Sequence, residues 1–312
     1  MRLFYALIPL VLVACGGGSS NSPTDSLGII DINQQAKITQ SSAVDFHIDV
    51  KERFTKDLTD AITSIFLDGE LLFQTGNVDL LVLNPCNGTK HITGSLNETS
   101  ASGTLNITFN DFQYCHYMGT YTISGDVTVD ISDTEIYVLG GNISIPSEYI
   151  VTTSNLNVTY RAVSFGLDGT IEYSHDTTDP NFNTIMLTKN LDFYNADGRA
   201  RFQNFVYKKH YTPKDIGSFS GFWSFSYSGW LYDSDHGYVD VSTIAAPAAC
   251  VTVIYPSECP LDPTAIGRIK IAGDSSSALI TFTSNLVLLS VDADGDGVYE
   301  QSMHCDGEGD CI

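Results

Sequence analysis

Residues 121–131 read YTISGDVTVDI, and the pattern of this stretch decides the fold class. Apolar or small residues occupy the odd-numbered positions, and threonine, serine and aspartate occupy the even-numbered ones. A two-residue period of this kind is typical of an antiparallel strand with one buried face and one solvated face. Residues 104–109, TLNITF, repeat the pattern. The chain is therefore predicted to contain half-buried antiparallel strands.

The same kind of segment continues along the chain after Glu70, with a turn between one apolar run and the next. Glycine, aspartate and asparagine mark these turns, at residues 140–141, 167–169, 195–198 and 233–237. No helix-length pattern recurs between the strands, which argues against a parallel α/β sheet. We therefore predict an all-β protein built on a large antiparallel meander, leaving open an open sheet, a sandwich or an incomplete barrel. Residues 108–112, TFNDF, and residues 189–193, KNLDF, resemble each other and indicate a repeated meander unit.

One N-terminal helix is predicted before these strands. Apolar residues recur at steps of three and four from Val50 to Ile65, and Asp68-Gly69 supplies a stop signal. Val44, Phe46 and Ile48 alternate instead, so either a strand precedes the helix or the helix begins earlier. We expect the helix to pack on the sheet.

A stripe of aromatic residues stands out in the run from Ser218 to Ser228, where serines fill most of the alternate positions. A core-facing stripe is the first interpretation, and an apolar-ligand or carbohydrate face is the second, because aromatic planes stack on both. The candidate residues of that face are Phe219, Trp223, Phe225 and Tyr227.

Composition limits the partners. The chain has 312 residues, of which 43% are hydrophobic and 11% aromatic, enough to bury a substantial core. Its formal net charge of −22 argues against nucleic acid and anionic lipid as partners and is compatible with divalent cations.

The N-terminus has the parts of an export signal. Met1-Arg2 is followed by an apolar run to Val13, which at about a dozen residues is shorter than the roughly 20 needed to span a bilayer. The stretch Leu12-Val13-Ala14-Cys15 resembles the lipobox of bacterial lipoproteins. The resemblance implies cleavage before Cys15, a diacylglycerol on its thiol and a further acyl chain on the new amine. Gly16, where aspartate would favour the inner membrane, implies a place in the outer membrane, on its periplasmic or its surface side.

Three regions follow from this interpretation. Residues 1–14 form the signal peptide, residues 15–27 form the lipidated cysteine and a flexible Gly/Ser tether, and residues 28–312 form the β-rich domain. An alternative division breaks the β-rich domain into two subdomains near residues 140–150.

Six cysteines remain besides Cys15, and an even number in an exported chain predicts disulfides. The six are Cys86, Cys115, Cys250, Cys259, Cys305 and Cys311. Their spacing suggests the local pairs Cys86–Cys115, Cys250–Cys259 and Cys305–Cys311, but the sequence alone does not select one connectivity. The sequence contains no Cys-x-x-Cys pair, so it does not favour a zinc site.

An acidic loop near the C-terminus carries the strongest chemical motif, DADGDGVYE at residues 292–300. Carboxylates at alternate positions converge on one cation if the backbone turns sharply, and calcium takes six to eight such oxygen ligands. We predict side-chain ligation by Asp292, Asp294, Asp296 and Glu300, and ligation by the Val298 carbonyl. The loop departs from EF-hands, because a strand precedes it and Met303 occupies the twelfth position. It resembles the D-x-D-x-D-G calcium hairpins of integrin-type β-propellers and thrombospondin type 3 segments, which implies a structural calcium ion.

A wider resemblance covers most of the chain after the tether. Residues 86–89 with 108–112 and Cys115, residues 237–243 and residues 292–300 together resemble a group of uncharacterised β-rich lipoproteins of proteobacteria. The resemblance implies an exported, sheet-rich domain and supplies no activity.

No catalytic constellation emerges from the sequence. The run from Gly217 to Gly221 resembles a G-x-S-x-G elbow only superficially, because Phe219 stands at its centre. We therefore predict a non-enzymatic β-protein, anchored in the outer membrane by lipid, that binds another envelope component. A carrier of lipid acyl chains is the first alternative, and a carbohydrate-active or other hydrolase is the second.

Overall fold

A computed structural model describes residues 34–52, 76–83, 86–116, 119–138, 142–160, 163–175, 184–195, 198–213, 221–246, 248–251, 267–282 and 287–305. One helix and fifteen strands are assigned within these ranges. They are α1 (Gln40–Glu52), β1 (Gly76–Leu83), β2 (Thr89–Leu96), β3 (Gly103–His116), β4 (Gly119–Val138), β5 (Asn142–Tyr160), β6 (Val163–His175), β7 (Thr184–Asn195), β8 (Arg199–Pro213), β9 (Gly221–Asp233), β10 (Gly237–Ala245), β11 (Ala248–Val251), β12 (Gly267–Gly273), β13 (Ser276–Phe282), β14 (Val287–Asp292) and β15 (Gln301–Cys305).

The strands form one antiparallel sheet in which almost every strand pairs with its neighbour along the chain. The order runs from β1 through β10 and then from β12 to β15. The short strand β11 pairs with the first half of β9, at residues 221–224, while β10 pairs with the second half. Among the described strands β1 and β15 end the order, so the all-β prediction is confirmed and the sheet is an open meander. No helix in the described ranges has the length and apolar character needed to cross a membrane.

The alternation predicted from the sequence places side chains on two faces. In β4, Ile123, Val127, Val129 and Ile131 are buried, while Asp126 and Asp130 are exposed on the other face. Buried residues from β1 through β15 belong to one hydrophobic cluster. We call the face that carries this cluster the inner face and the opposite face the outer face.

A line of irregular backbone crosses the sheet at the same level in seven successive strands, and we call it the crease. Three of its residues are non-glycine residues with positive φ, and three are glycines with φ above +120°. The pairing register shifts at Asp111 in β3, at Asn155 in β5 and at Asn204 in β8. It also shifts at Asn190 in β7. The crease residues are Asp111, Gly125, Asn155, Gly169, Asn190, Asn204 and Gly229.

Each extra residue at the crease shifts the alternation by one position and so keeps apolar side chains on the inner face. In β8 the buried residues change from even numbers, ending at Phe202, to odd numbers, beginning at Phe205. Bulges of this kind bend a strand and increase its twist. The bulges in β3, β5 and β8 are therefore expected to bend the sheet along one line. The two similar segments, residues 108–112 and 189–193, both lie on this line.

The helix begins earlier than its strongest periodicity predicts. Thr39 is its N-cap: the Ser42 N–H donates to Thr39 Oγ1 at 3.3 Å, and the Thr39 N–H donates to Ser42 Oγ at 2.9 Å. The segment with Val44 and Phe46 is therefore helical, and the alternative of a preceding strand is wrong. The rest of the predicted helix, from residue 53 onward, lies outside the described residues.

Residues 34–38, which we call the N-terminal strap, fasten the helix to one end of the sheet. The Ala36 N–H donates to the Tyr238 carbonyl at 2.8 Å, and the Asp274 N–H donates to the Ala36 carbonyl at 2.8 Å. At the same end, His236 lies 3.0 Å from the Asp45 carboxylate and packs on the buried ring of Phe46. The strap therefore spans the β9–β10 and β12–β13 turns.

Candidate metal centre

The acidic loop joins β14 to β15 at the end of the sheet where the N-terminal strap lies. β14 ends at Asp292, β15 begins at Gln301, and Val291 pairs with Gln301. The two strands thus bring the first and last residues of the loop side by side. This confirms the prediction that a strand, and not a helix, precedes the loop.

Four predicted ligand side chains converge in this loop. One carboxylate oxygen from each of Asp292, Asp294, Asp296 and Glu300 lies within 4.8 Å of the others. Asp292 is 3% exposed, and the other three residues are exposed to solvent. The arrangement is a cluster of one buried and three exposed carboxylates that could hold a metal ion.

Backbone N–H groups fix the conformation of the loop. The buried Asp292 carboxylate accepts from the Gly295 N–H at 2.7 Å and from the Gly297 N–H at 3.1 Å. Asp296 accepts from the Val298 N–H at 2.7 Å. The Asp296 contact is an Asx turn, in which the side chain binds the backbone N–H two residues on, and the Asp292 contacts reach three and five residues on. They aim the alternate carboxylates toward a common volume.

Gly295 is required where the loop meets the neighbouring hairpin. Its φ is +77°, and a Cβ there would lie 2.7 Å from the carbonyl oxygen of Ser275 in the β12–β13 turn. A side chain would collide with backbone, so the loop approaches this turn only because residue 295 is glycine. The acidic loop is thereby packed against a second hairpin.

The electrostatics of the cluster favour a cation. Two like charges about 4 Å apart repel by roughly 1 kcal/mol in water and by roughly 4 kcal/mol near a protein surface. In the described part of the chain none of the four carboxylates forms an ion pair. An all-oxygen ligand set suits hard divalent cations. Val298, the predicted carbonyl ligand, is 59% exposed.

The predicted disulfide cysteines are described in part. Cys86 and Cys305 are each disulfide-bonded. The Gln113 N–H donates to the Asn87 carbonyl at 3.0 Å, which brings the backbone next to Cys86 close to the β3 segment that contains Cys115. The three local pairings stay predictions. The side chains of Cys115 and Cys250, and all of Cys15, Cys259 and Cys311, lie outside the described residues.

The predicted aromatic face is also described in part. Phe225 and Tyr227 pack against the core cluster, and the Tyr207 ring lies 6.0 Å from Phe225 and 5.3 Å from Tyr227. Burial raises the pKa of the Tyr227 hydroxyl to about 12. Both rings therefore contribute to the inner face. Phe219 and the side chain of Trp223 lie outside the described residues.

A charged cluster lies on the outer face that the sequence alone does not predict. Asp192 of β7 accepts hydrogen bonds from Arg199, and from Arg201 Nη2 at 2.8 Å, both in β8. Burial disfavours the Asp192 carboxylate, but the hydrogen bonds from the two arginines outweigh it, and the pKa of Asp192 is lowered. Only the register, which pairs Asp192 with Arg201, reveals this contact. The acidic loop needed no register, because its residues are neighbours in the chain.

Comparison with protein-family models, curated proteins and solved structures gave no match. The lipoprotein and calcium-hairpin resemblances therefore rest on the sequence motifs that carry them.

Proposed function

We propose that this chain is a non-enzymatic, lipid-anchored β-protein of the bacterial outer membrane whose last hairpin is closed by a structural calcium ion. The convergence of four carboxylate oxygens within 4.8 Å at residues 292–300 supports the calcium site. The lipobox at Leu12–Cys15 supports the anchor. The sheet then binds another component of the envelope.

Calcium fits the loop better than magnesium does. Magnesium requires near-ideal octahedral geometry and retains its waters, whereas calcium accepts six to eight oxygens in irregular arrangements. Three of the carboxylates are exposed and project from a bent loop, an irregular and partly hydrated ligand set. Asp292, Asp294, Asp296 and Glu300 would supply side-chain oxygens, and Val298 would supply its carbonyl.

The ion would act as a clip. It would cancel the repulsion among the carboxylates and join the end of β14 to the start of β15. Because Gly295 packs on Ser275, the clip would also hold the loop against the β12–β13 turn. A structural role is favoured over a regulatory one, since Asp292 is fixed by two backbone N–H groups in the described conformation.

The carrier alternative would use Phe225 and Tyr227 to line a cavity. The packing of both rings against the core and against Tyr207 favours a structural role for them.

Equilibrium dialysis of the full chain, purified in detergent, against radioactive calcium tests the site. We expect one ion per chain and none in Asp294→Ala. The control is Asp235→Ala, which removes an exposed aspartate from the nearby β9–β10 turn and should keep the ion. Equal binding by the wild type and by Asp294→Ala would refute the site.

A further inference from the structure

The outer face of β8 and β12 carries three basic side chains. Lys208 in β8 and Arg268 in β12 are exposed, and Lys270 in β12 is half-buried. None of them forms an ion pair within the described part of the chain. In a chain with 37 acidic and 15 basic residues, three cations that form no ion pair with any described residue stand out on one side of one sheet.

The cations flank a row of serine hydroxyls. Lys208 pairs with Ser226 across the β8–β9 ladder. Ser228 pairs with Ser242, which in turn pairs with Lys270 in β12. Lys208 and Lys270 are thus separated by three strand spacings, about 14 Å, across the sheet and by two residues along the strand direction. We call this part of the sheet, from β8 to β12, the basic face.

An exposed tryptophan lies beside the serine row on the same face. Trp230 is 40% exposed, while the next residue, Leu231, is fully buried on the inner face. Trp230 pairs with Gln203 on one side and with Asp240 on the other. Asp240 in turn pairs with Ala272 in β12. The indole is therefore an accessible apolar plane framed by an amide and a carboxylate.

The outer face of β4 has the opposite charge. In β4, Asp130 accepts from Thr104 Oγ1 at 2.6 Å and Asp126 accepts from Thr108 Oγ1 at 2.7 Å. Carboxylates there accept hydrogen bonds from neighbouring hydroxyls, whereas the three cations of the basic face form no ion pair with any acidic residue that the structure describes. The charge difference assigns binding of an anionic group to β8–β12.

We infer that the basic face binds an acidic oligosaccharide, a chain of sugar rings of which some carry a carboxylate. Lys208, Lys270 and Arg268 would pair with carboxylates. The serines, Gln203 and Asp240 would hydrogen-bond hydroxyls, and a sugar ring would stack its C–H face on Trp230. The inference rests on the proposed function, because the oligosaccharide would be the envelope component that the sheet binds. It depends on neither the lipid anchor nor the calcium site.

Two other anionic surfaces fit less well. An anionic membrane would bury Asp240 and the serine row against lipid, at the cost of desolvating polar groups. Nucleic acid carries about one charge per 1.7 Å, and the net charge of −22 repels it strongly. Carboxylates on separate sugar rings are spaced more widely than the phosphates of nucleic acid. At physiological ionic strength salt screens charges that lie more than about 8 Å apart, so distant acidic residues of the protein repel such a sugar less.

Binding of trigalacturonate to the full chain, purified in detergent, tests the inference. Tryptophan fluorescence and calorimetry are recorded in excess chelator, so that calcium cannot bridge sugar and protein. We expect trigalacturonate to bind at least about tenfold more tightly than maltotriose, since one charge-assisted contact of about 1.5–3 kcal/mol gives that factor. Added salt should weaken trigalacturonate binding.

Variants locate the site. Trp230→Ala and the double variant Lys208→Gln/Lys270→Gln should each weaken binding by about tenfold or more. Lys37→Gln is the matched control, because it removes an exposed positive charge from the N-terminal strap, and it should leave binding unchanged. Thermal unfolding checks that each variant is folded.

Several results would overturn the inference. They are equal binding of maltotriose, an effect of Lys37→Gln as large as that of the double variant, or binding to phosphatidylglycerol vesicles without binding to trigalacturonate. Because the assay contains chelator, failure to bind trigalacturonate would not count against the calcium site. Likewise, failure to bind calcium would not explain failure to bind trigalacturonate.

Discussion

At the scale of single residues, Asp192 shows how one carboxylate fixes a hairpin. It accepts hydrogen bonds from Arg199 and Arg201 on the next strand, and its side chain is 14% exposed. The lowered pKa of Asp192 means that the folded protein holds the charged form more strongly than the unfolded chain does. The contribution to stability is therefore present above the ordinary aspartate pKa and is lost as the pH falls through the lowered folded value.

Asp192→Asn should destabilise the protein at neutral pH by about 1–3 kcal/mol, because two partly buried arginines lose their anionic partner. The loss should shrink as the pH falls below about 4, where the unfolded wild-type carboxyl also takes up a proton. Urea unfolding at pH 7 and at pH 3 measures both effects. Asp235→Asn, in an exposed turn, is the control. A destabilisation that stays equal at the two pH values would contradict the ion-pair explanation.

The acidic loop and the Asp192 cluster differ in what a sequence can reveal. Asp292, Asp294 and Asp296 are spaced by two residues, so the local pattern alone predicts that they converge. Asp192 and Arg201 come into contact only through the pairing of β7 with β8. The lysines of the basic face come to lie on one face only through the pairing of four strands. Contacts of the second kind require the register, which a single sequence does not supply.

At the scale of elements, the crease explains where the alternation pattern fails. Strict period-two alternation predicts the strands, but it breaks by one position at Asp111, Asn155 and Asn204. Each break is a bulge that returns the apolar residues to the inner face. The strands could therefore be predicted from the sequence, whereas the alignment of their irregularities into one line could not.

Gly169→Ala should be strongly destabilising. Gly169 has a φ of +132°, and its Cβ would lie 2.2 Å from the Asn190 carbonyl oxygen in β7. Backbone strain alone costs about 1–3 kcal/mol, and the clash with a paired strand adds to it. Gly198→Ala is the matched control, since Gly198 has no positive φ and, among the described residues, its Cβ would meet the Ser234 hydroxyl oxygen, a side-chain atom, at 3.0 Å. Denaturant unfolding compares the two, and similar stabilities would refute the structural role of the crease.

At the scale of the whole molecule, one meander positions every candidate site. The open sheet places the acidic loop and the N-terminal strap at one end and the basic face on the outer side of β8–β12. The proposed anchor, Cys15, begins the segment of residues 15–27 that includes the flexible tether, so lipid would hold the protein at the membrane while the sheet remains accessible to other envelope components.

Cys15→Ser should abolish acylation. The thiol is the atom that the proposed diacylglycerol modifies, so radioactive palmitate should label the wild type and not the variant, which should be soluble or uncleaved. Ser19→Ala, in the tether, is the control and should keep the label. Palmitate on the Cys15→Ser chain would contradict the anchor.

The structural calcium ion is the central claim, and thermal unfolding of the full chain tests it most directly. A site filled at 100 times its dissociation constant adds about 2.7 kcal/mol, which should raise the melting temperature of a chain of this size by a few degrees. Excess calcium should therefore stabilise the wild type and Asp235→Ala relative to chelator, while magnesium should do less and Asp294→Ala should show no shift. Equal melting temperatures of the wild type in calcium and in chelator would contradict the claim and leave residues 292–300 as an acidic turn.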